Sequence, residues 1–266
     1  HVDHGKTTLL DYIRKTQVTN QEAGWITQSI WASQVVYQWK KITFVDTPWH
    51  ELFTSLRARW SKITDIVVIV VAADDWIMKQ TVEAINHAKA ANVPILIAIT
   101  KIDRWTDNTE KIKQQLSEHS LICEDWGWDV PLLKVSWKTW QWVDTLLENI
   151  LLYSDLANLV YNPSRAWVWV ILEAHKDQSK WVMASIVMMT WALKVWDIIW
   201  AHWTFWKIKK MYDWKWKPTN QAEWWDPVLI LWLQEVPEAW RLIEVVSSEK
   251  EARNRIEEVM LKEQKS

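Results

Sequence analysis

His1-Val2-Asp3-His4-Gly5-Lys6-Thr7-Thr8 carries most of a phosphate-binding loop, G-x-x-x-x-G-K-[ST], short only of its first glycine. Gly5 lets backbone N–H groups converge on a β-phosphate, and Lys6 reaches the β and γ oxygens. Thr7 offers a hydroxyl to Mg²⁺, with Asp3, His4 and Thr8 completing the loop. The helix that starts there turns its positive end toward the same anion. About forty residues on, Asp46-Thr47-Pro48 closes a strand. A carboxylate in that place holds the ion through water, while the next backbone, at Trp49, faces the γ-phosphate. Either motif alone also reads as a chance match or an ordinary turn; in this order they describe one triphosphate site.

Thr100-Lys101-Ile102-Asp103 follows an apolar strand at 94–99. Asp103 is placed to accept from N1–H and the exocyclic amine of guanine. Adenine lacks that donor pair, and a buried acceptor facing it would go unsatisfied, so the carboxylate selects G over A. The Lys101 stem can lie over the base plane, and Ser136-Trp137-Lys138, after the next strand, can close over it. Loops at the carboxyl ends of parallel strands are where open sheets bind ligands.

The elements that must position these residues are legible in the hydropathy pattern. Leu9, Leu10 and Ile13 share one side of the first helix, and residues 41–45 read as a strand. Between them the spacing leaves room for a helix and a mobile switch. "TDIVVIVVAAD" is apolar throughout, as a strand buried on both faces is. Helix "QTVEAINHAKAA", strand "VPILIAIT", helix "NTEKIKQQLSEH", strand "PLLKVS" and helix "WVDTLLENILLYSDL" follow. That alternation predicts an α/β domain, a P-loop fold with a mostly parallel sheet, over residues 1–158. As given, the chain opens inside the phosphate loop, so the expected sheet lacks its first strand and the domain is N-terminally truncated. Short strands parted by polar turns then predict a small β-barrel over 165–248. The charged stretch 249–266 reads as the start of a connecting helix, with Ala252, Ile256, Val259 and Met260 on its apolar stripe.

Composition narrows the function classes. The net charge of −2 disfavours a protein that grips RNA by charge alone. A single cysteine, Cys123, excludes an internal disulfide framework and favours a reducing, cytoplasmic setting. The longest apolar run is far too short to span a bilayer, so no membrane partner is expected. Two counts are abnormal: 3 glycines and 26 tryptophans in 266 residues. Tryptophans crowd polar, turn-like stretches such as "DWKWKPT", "AEWWDP" and "KTWQWVD", where a chain needs a residue free to adopt positive φ. Most therefore stand where glycine belongs. A UGA codon that the source reads as glycine, rendered as tryptophan by the translation table applied to it, would produce this pattern. The mass of the natural protein, or the codon at each position, tests it.

The chain resembles the bacterial translation initiation factor IF-2 family over essentially its whole length. The matching stretches are "HVDHGKTTLLDYIRKT", "EAGWITQSIWA", "ITFVDTPWHELFTSLRARW", "TDIVVIVVAADDWIMKQTVEAINHAKAANVPILIAITKID" and "AEWWDPVLILWLQEVPEAW". Glycine in place of Trp25, Trp49, Trp76, Trp191, Trp196, Trp224, Trp225, Trp232 and Trp240 sharpens nearly every match. The resemblance implies a ribosome-stimulated GTPase with GTP and Mg²⁺ as ligands. It implies that Thr27 joins Thr7 and Asp46 around the ion, and that His50 orients the attacking water. It implies a barrel that packs on the small ribosomal subunit and large-subunit rRNA near the GTP site. Initiator tRNA placement, which serves subunit joining, would fall to C-terminal domains outside this sequence.

Thr100 replaces the family's asparagine, whose amide ties the phosphate loop to the base loop. A hydroxyl makes fewer of those bonds, so weaker affinity with specificity retained is expected. Ser29 stands where the family often has histidine, which matters little for nucleotide binding. A literal indole at Trp49, and at Trp25, Trp31 and Trp137, would crowd the switch and base loops. Two rival readings remain: an elongation or selenocysteine factor, and a non-hydrolysing ribosome-binding module with a vestigial nucleotide site.

Overall fold

The computed structural model describes residues 9–10, 32–45, 64–102, 108–124, 127, 130–136, 143–159, 169–176, 182–188, 192–223, 225–232, 236 and 242–263. The chain divides into two compact units, His1–Thr19 with Pro48–Val160, and Asn20–Thr47 with Tyr161–Ser266.

In the first unit, β3 (Val67–Ala72), β4 (Ile95–Thr100) and β5 (Leu132–Lys134) form a parallel sheet in that order. Three helices alternate with or follow them: α1 (Lys79–Ala90), α2 (Thr109–Glu118) and α3 (Val143–Leu156). β4 is central and every residue in it is buried. Ile95, Ile97 and Ile99 pack with Ile85 and Ala88 of α1 and with Ile112 and Leu116 of α2, while Leu96 and Ala98, of opposite parity, are also fully buried. A strand covered on both faces cannot alternate with polar residues, which is why this stretch reads as a continuous apolar run. Each such side chain contributes about 2 kcal/mol of transfer free energy. Cys123 lies in the same core as a free thiol. Leu9 and Leu10 are helical and buried, as the first helix required; Ile13 lies outside the described residues.

The second unit opens with a hairpin, β1 (Ala32–Tyr37) and β2 (Lys40–Val45), in the register Tyr37↔Lys40 to Ala32↔Val45. Sequence reasoning found β2 alone and left its partner inside a helix-and-switch segment. The missed signal is Val35-Val36 followed by a two-residue reversal, Gln38-Trp39, at φ 46 and 65. Two positive φ values make this a type I′ turn, whose usual second residue is glycine. A tryptophan there, 98% exposed, disguised the turn.

The rest of this unit is antiparallel. Seven strands pair in the order β10 (Thr204–Lys207), β9 (Ile198–Ala201), β14 (Leu242–Val246), β6 (Trp169–Lys176), β7 (Val182–Met188), β13 (Pro227–Trp232) and β11 (Lys210–Asp213). The two outermost strands are consecutive in the chain, joined by Ile208-Lys209, so the sheet curls back on itself. β8 (Leu193–Lys194) pairs with β12 (Gln221–Ala222). The interior holds Ile171, Ala184, Ile186, Ile199, Ile208, Ile230 and Ile243, together with Trp169 and Trp206, each 1% exposed. These two tryptophans are core residues, unlike those in the turns. α4 (Glu249–Glu263) closes the unit, with Ala252 buried, Ile256 and Val259 partly so, and Met260 turned outward at 46%. Among the described residues no helix is long and apolar enough to cross a membrane.

Candidate nucleotide-binding site

Parallel pairing of β3, β4 and β5 carries their carboxyl ends to one edge of the sheet, and the described part of the candidate site is built there. Thr100 ends β4 and is fully buried. Its hydroxyl donates to the Val71 carbonyl at 3.2 Å, and its own carbonyl accepts from the Ala73 N–H at 2.8 Å. The end of β4 is thereby tied to the end of β3 by side chain and backbone together. On the other flank the Val135 N–H donates to the Ile99 carbonyl at 2.7 Å, which brings Ser136, 1% exposed, to the same edge. Thr100 thus ends β4, and Ser136, far off in sequence, lies two residues past the end of the neighbouring β5.

Lys101 follows with φ 57, a left-handed conformation uncommon for a long side chain. Its ammonium lies 3.3 Å from an Asp74 carboxylate oxygen, with only 16% of either side chain exposed. This ion pair links the loops after β3 and β4. Sequence reasoning missed Asp74; its signal was a charged residue directly after a buried apolar strand. Asp75 beside it accepts from the Trp76 N–H at 2.8 Å, and the Ile77 N–H donates to Gln115 at 3.1 Å, which closes the route into α1. Loop residues held in sparse backbone regions by surrounding bonds gather at functional edges.

Of the other expected site residues, Asp3, His4, Gly5, Lys6, Thr7, Thr8, Thr27, Asp46, Trp49, His50, Asp103, Trp137 and Lys138 lie outside the described residues. The described edge therefore comprises Thr100, Lys101 and Ser136, with Asp103 following Lys101 closely in the chain.

Comparison with known proteins points the same way. Residues 1–155 match the family described as the elongation factor Tu GTP binding domain. The sequence is 47% identical over 264 residues to translation initiation factor IF-2 of Halothermothrix orenii, covering 99% of this chain and 38% of that relative. It is 50% identical over 254 residues to the IF-2 of Clostridium novyi, covering 96% and 37%. The chain thus spans little more than a third of these relatives' length. Among solved structures, GDP-bound aIF5B from Aeropyrum pernix superposes with a TM-score of 0.77 at 27% identity, over 98% of this chain and 55% of that one. The architecture is a P-loop GTPase domain with a parallel sheet followed by an antiparallel barrel domain, as the hydropathy pattern predicted. The sheet-edge geometry and these matches agree that the chain belongs to the translational GTPases that share the GTP-binding domain of elongation factor Tu, and within them to the IF-2 family.

Proposed function

We propose that this chain binds GTP at the carboxyl edge of its parallel sheet and hydrolyses it to GDP and phosphate when stimulated by the ribosome. In this reading residues 1–158 form the GTP-binding domain, 165–248 the barrel and 249–266 the start of a connecting helix. The hairpin β1–β2 then belongs to the first by sequence and groups with the second by contact. The observation that carries the reading is the convergence of Thr100, Lys101 and Ser136 on one edge, with Asp103 two residues past Lys101 in the sequence.

Each residue has a defined task. Asp3, His4, Gly5, Lys6, Thr7 and Thr8 hold the phosphates, and Trp49 lies where backbone approaches the γ-phosphate. Asp103 reads the guanine donor edge, while Lys101, Trp137 and Lys138 flank the base. His50 orients the attacking water. Thr7, Thr27 and Asp46 supply hard oxygen donors, the set that suits Mg²⁺. The ion, when bound, would neutralise charge on the β- and γ-phosphate oxygens. The factor's work is to promote initiator tRNA placement and ribosomal subunit joining. Its barrel meets the small subunit, its nucleotide edge faces large-subunit rRNA, and its C-terminal domains hold the tRNA. Support comes from the identity to IF-2 factors along nearly the whole chain.

Calorimetry with GTP and ATP, followed by phosphate release with and without ribosomes, tests this. GTP preference with ribosome-stimulated release is expected. Equal affinity for ATP would overturn the base-recognition assignment, and tight GTP binding without release would favour a non-hydrolysing module. Thr100 already spends its proton on Val71, so Thr100→Asn is expected to tighten GTP binding several-fold, about one added hydrogen bond.

A further inference from the structure

The segment that follows β4, with Lys101 and Asp103 in its sequence, is tied at both ends to one buried residue, Ala73. The Ala73 N–H donates to the Thr100 carbonyl at 2.8 Å, directly before Lys101. The Ala73 carbonyl accepts from the Asn108 N–H at 3.3 Å, directly before α2. Ile102 packs on the same core as Ala73, so Lys101 stands between two anchored neighbours with its backbone at φ 57. These contacts fix where the Lys101 side chain starts. They leave its flexible stem free to choose among rotamers, and that freedom is what Asp74 removes.

Asp74 is itself held by its backbone. The Asp75 N–H donates to the Ala72 carbonyl at 3.1 Å, closing a turn across Ala73 and Asp74. Past the turn, the Ile77 N–H donates to Gln115 Oε1 at 3.1 Å, which anchors the same loop to α2. The carboxylate is thus presented from a short side chain on a closed turn, 3.3 Å from Lys101 Nζ. With 16% of each side chain exposed, solvent and salt screen the pair weakly. Lysine loses much rotamer freedom wherever it is ordered, and here the ion pair imposes that loss on folding. We propose that Asp74 is a positioning residue for the guanine site, holding the Lys101 ammonium so that the lysine stem is already ordered for the face of the base. Nucleotide binding then does not have to order it, which is affinity gained by preorganisation. Asp74 acts through Lys101 and reads no feature of the nucleotide itself. Its contribution belongs to the base, so it is the same for di- and triphosphate, and the choice of guanine stays with Asp103.

The inference rests on the GTP-binding reading and names a positioning residue for that site; one experiment keeps the two apart. In the full-length factor, calorimetry gives Kd for GDP, a non-hydrolysable GTP analogue and inosine diphosphate, which lacks the exocyclic amine. Asp74→Asn is expected to weaken all three alike, about tenfold, with the ratio of GDP to inosine diphosphate affinity unchanged. Asp74→Ser, a second way to remove the carboxylate, should do the same, and Asp74→Glu should recover most of the affinity. Lys101→Met, which keeps an apolar stem without its ammonium, is expected to lose as much as Asp74→Asn. Adding Asp74→Asn to Lys101→Met should then change affinity by less than about twofold, since the partner is already gone. That doubly substituted factor leaves no uncompensated charge. Unchanged GDP affinity in Asp74→Asn and Asp74→Ser overturns the Asp74 assignment alone. So does full affinity in Lys101→Met, or a further tenfold loss, roughly the full single effect, in the double substitution. An unsubstituted factor that binds no guanine nucleotide overturns the assignment together with the reading beneath it.

Discussion

The parallel unit and the barrel unit reverse their chains with different residues. After α1, α2 and α3 the left-handed positions are Asn92 at φ 57, Ser120 at φ 56 and Asn158 at φ 48. Short polar side chains fit that region and help satisfy the last carbonyls of a helix, asparagine best of all. Lys89 adds a cation over the end of α2, donating to the His119 and Ser120 carbonyls. In the hairpin and barrel the same conformation falls on Gln38 and His202, at φ 46 and 51, and on four tryptophans, Trp39, Trp196, Trp216 and Trp225, at φ 65, 80, 61 and 62. An indole contributes nothing to a left-handed backbone and carries the full Cβ penalty of about 1–2 kcal/mol. Gly127, in the parallel unit, holds φ 86 with open space where a Cβ would point. Helix ends can thus be closed without glycine, whereas tight β-turns have few substitutes. The tryptophans sit at glycine-type positions where the architecture depends most on turns.

The strongest way to break this comparison is to restore glycine. Replacing Trp39, Trp196, Trp216 and Trp225 together by glycine is expected to raise the unfolding free energy by about 4 kcal/mol, near 1 per site. Trp196 should gain least, because Lys207 and Lys209 lie 5.7 and 5.1 Å from its ring and the glycine forfeits that attraction. Asn92→Gly in the parallel unit, the matching control, should shift stability by less than about 0.5 kcal/mol. Urea unfolding measures both, and equal effects in the two units would end the argument.

Lys101 is the exception in the parallel unit, a long side chain at φ 57 held by Asp74. Asp74→Asn leaves that ammonium without its carboxylate in a poorly exposed place, at an expected cost of about 2 kcal/mol. GTP affinity should fall with it; unchanged stability would mean that the backbone holds Lys101 unaided.

The smallest expected effects lie at the barrel unit's own helix. Ser248 caps α4 by accepting from the Glu251 N–H at 3.2 Å, and Glu251 reaches back to the Ser247 N–H and hydroxyl at 2.9 and 2.6 Å. Ser248→Ala should cost about 1 kcal/mol. The Ser247 hydroxyl and amide, with help from Arg255, hold the Glu251 carboxyl below its ordinary pKa of 4.5. A carboxyl depressed by folding stabilises the fold above that ordinary value, and the gain is lost as pH falls through the folded-state pKa. Acid titration of stability should show this slope in the parent and lack it in Glu251→Gln.

Much of the fold was legible because periodicity reports burial. The uninterrupted apolar runs at 67–72 and 95–99 announced buried parallel strands, and the short strands after 165 announced a turn-linked sheet. β1 was not legible, since the one residue that marks its turn reads as tryptophan. Thr100, Lys101 and Ser136 were visible as motif residues, but the Asp74 partner was not, because no spacing rule joins it to Lys101.

The order of motifs along the chain pointed by itself to the family and its GTP-binding domain, because the residue types in each motif suit one chemical feature of a guanine nucleotide. Only the tertiary structure decided that Lys101 pairs with Asp74, that Thr100 is bound to β3, and that the hairpin is fastened at Asp226 by Gln34 and Lys41. Those contacts join residues distant in sequence, and their strength depends on distance and burial, which no spacing along a chain encodes.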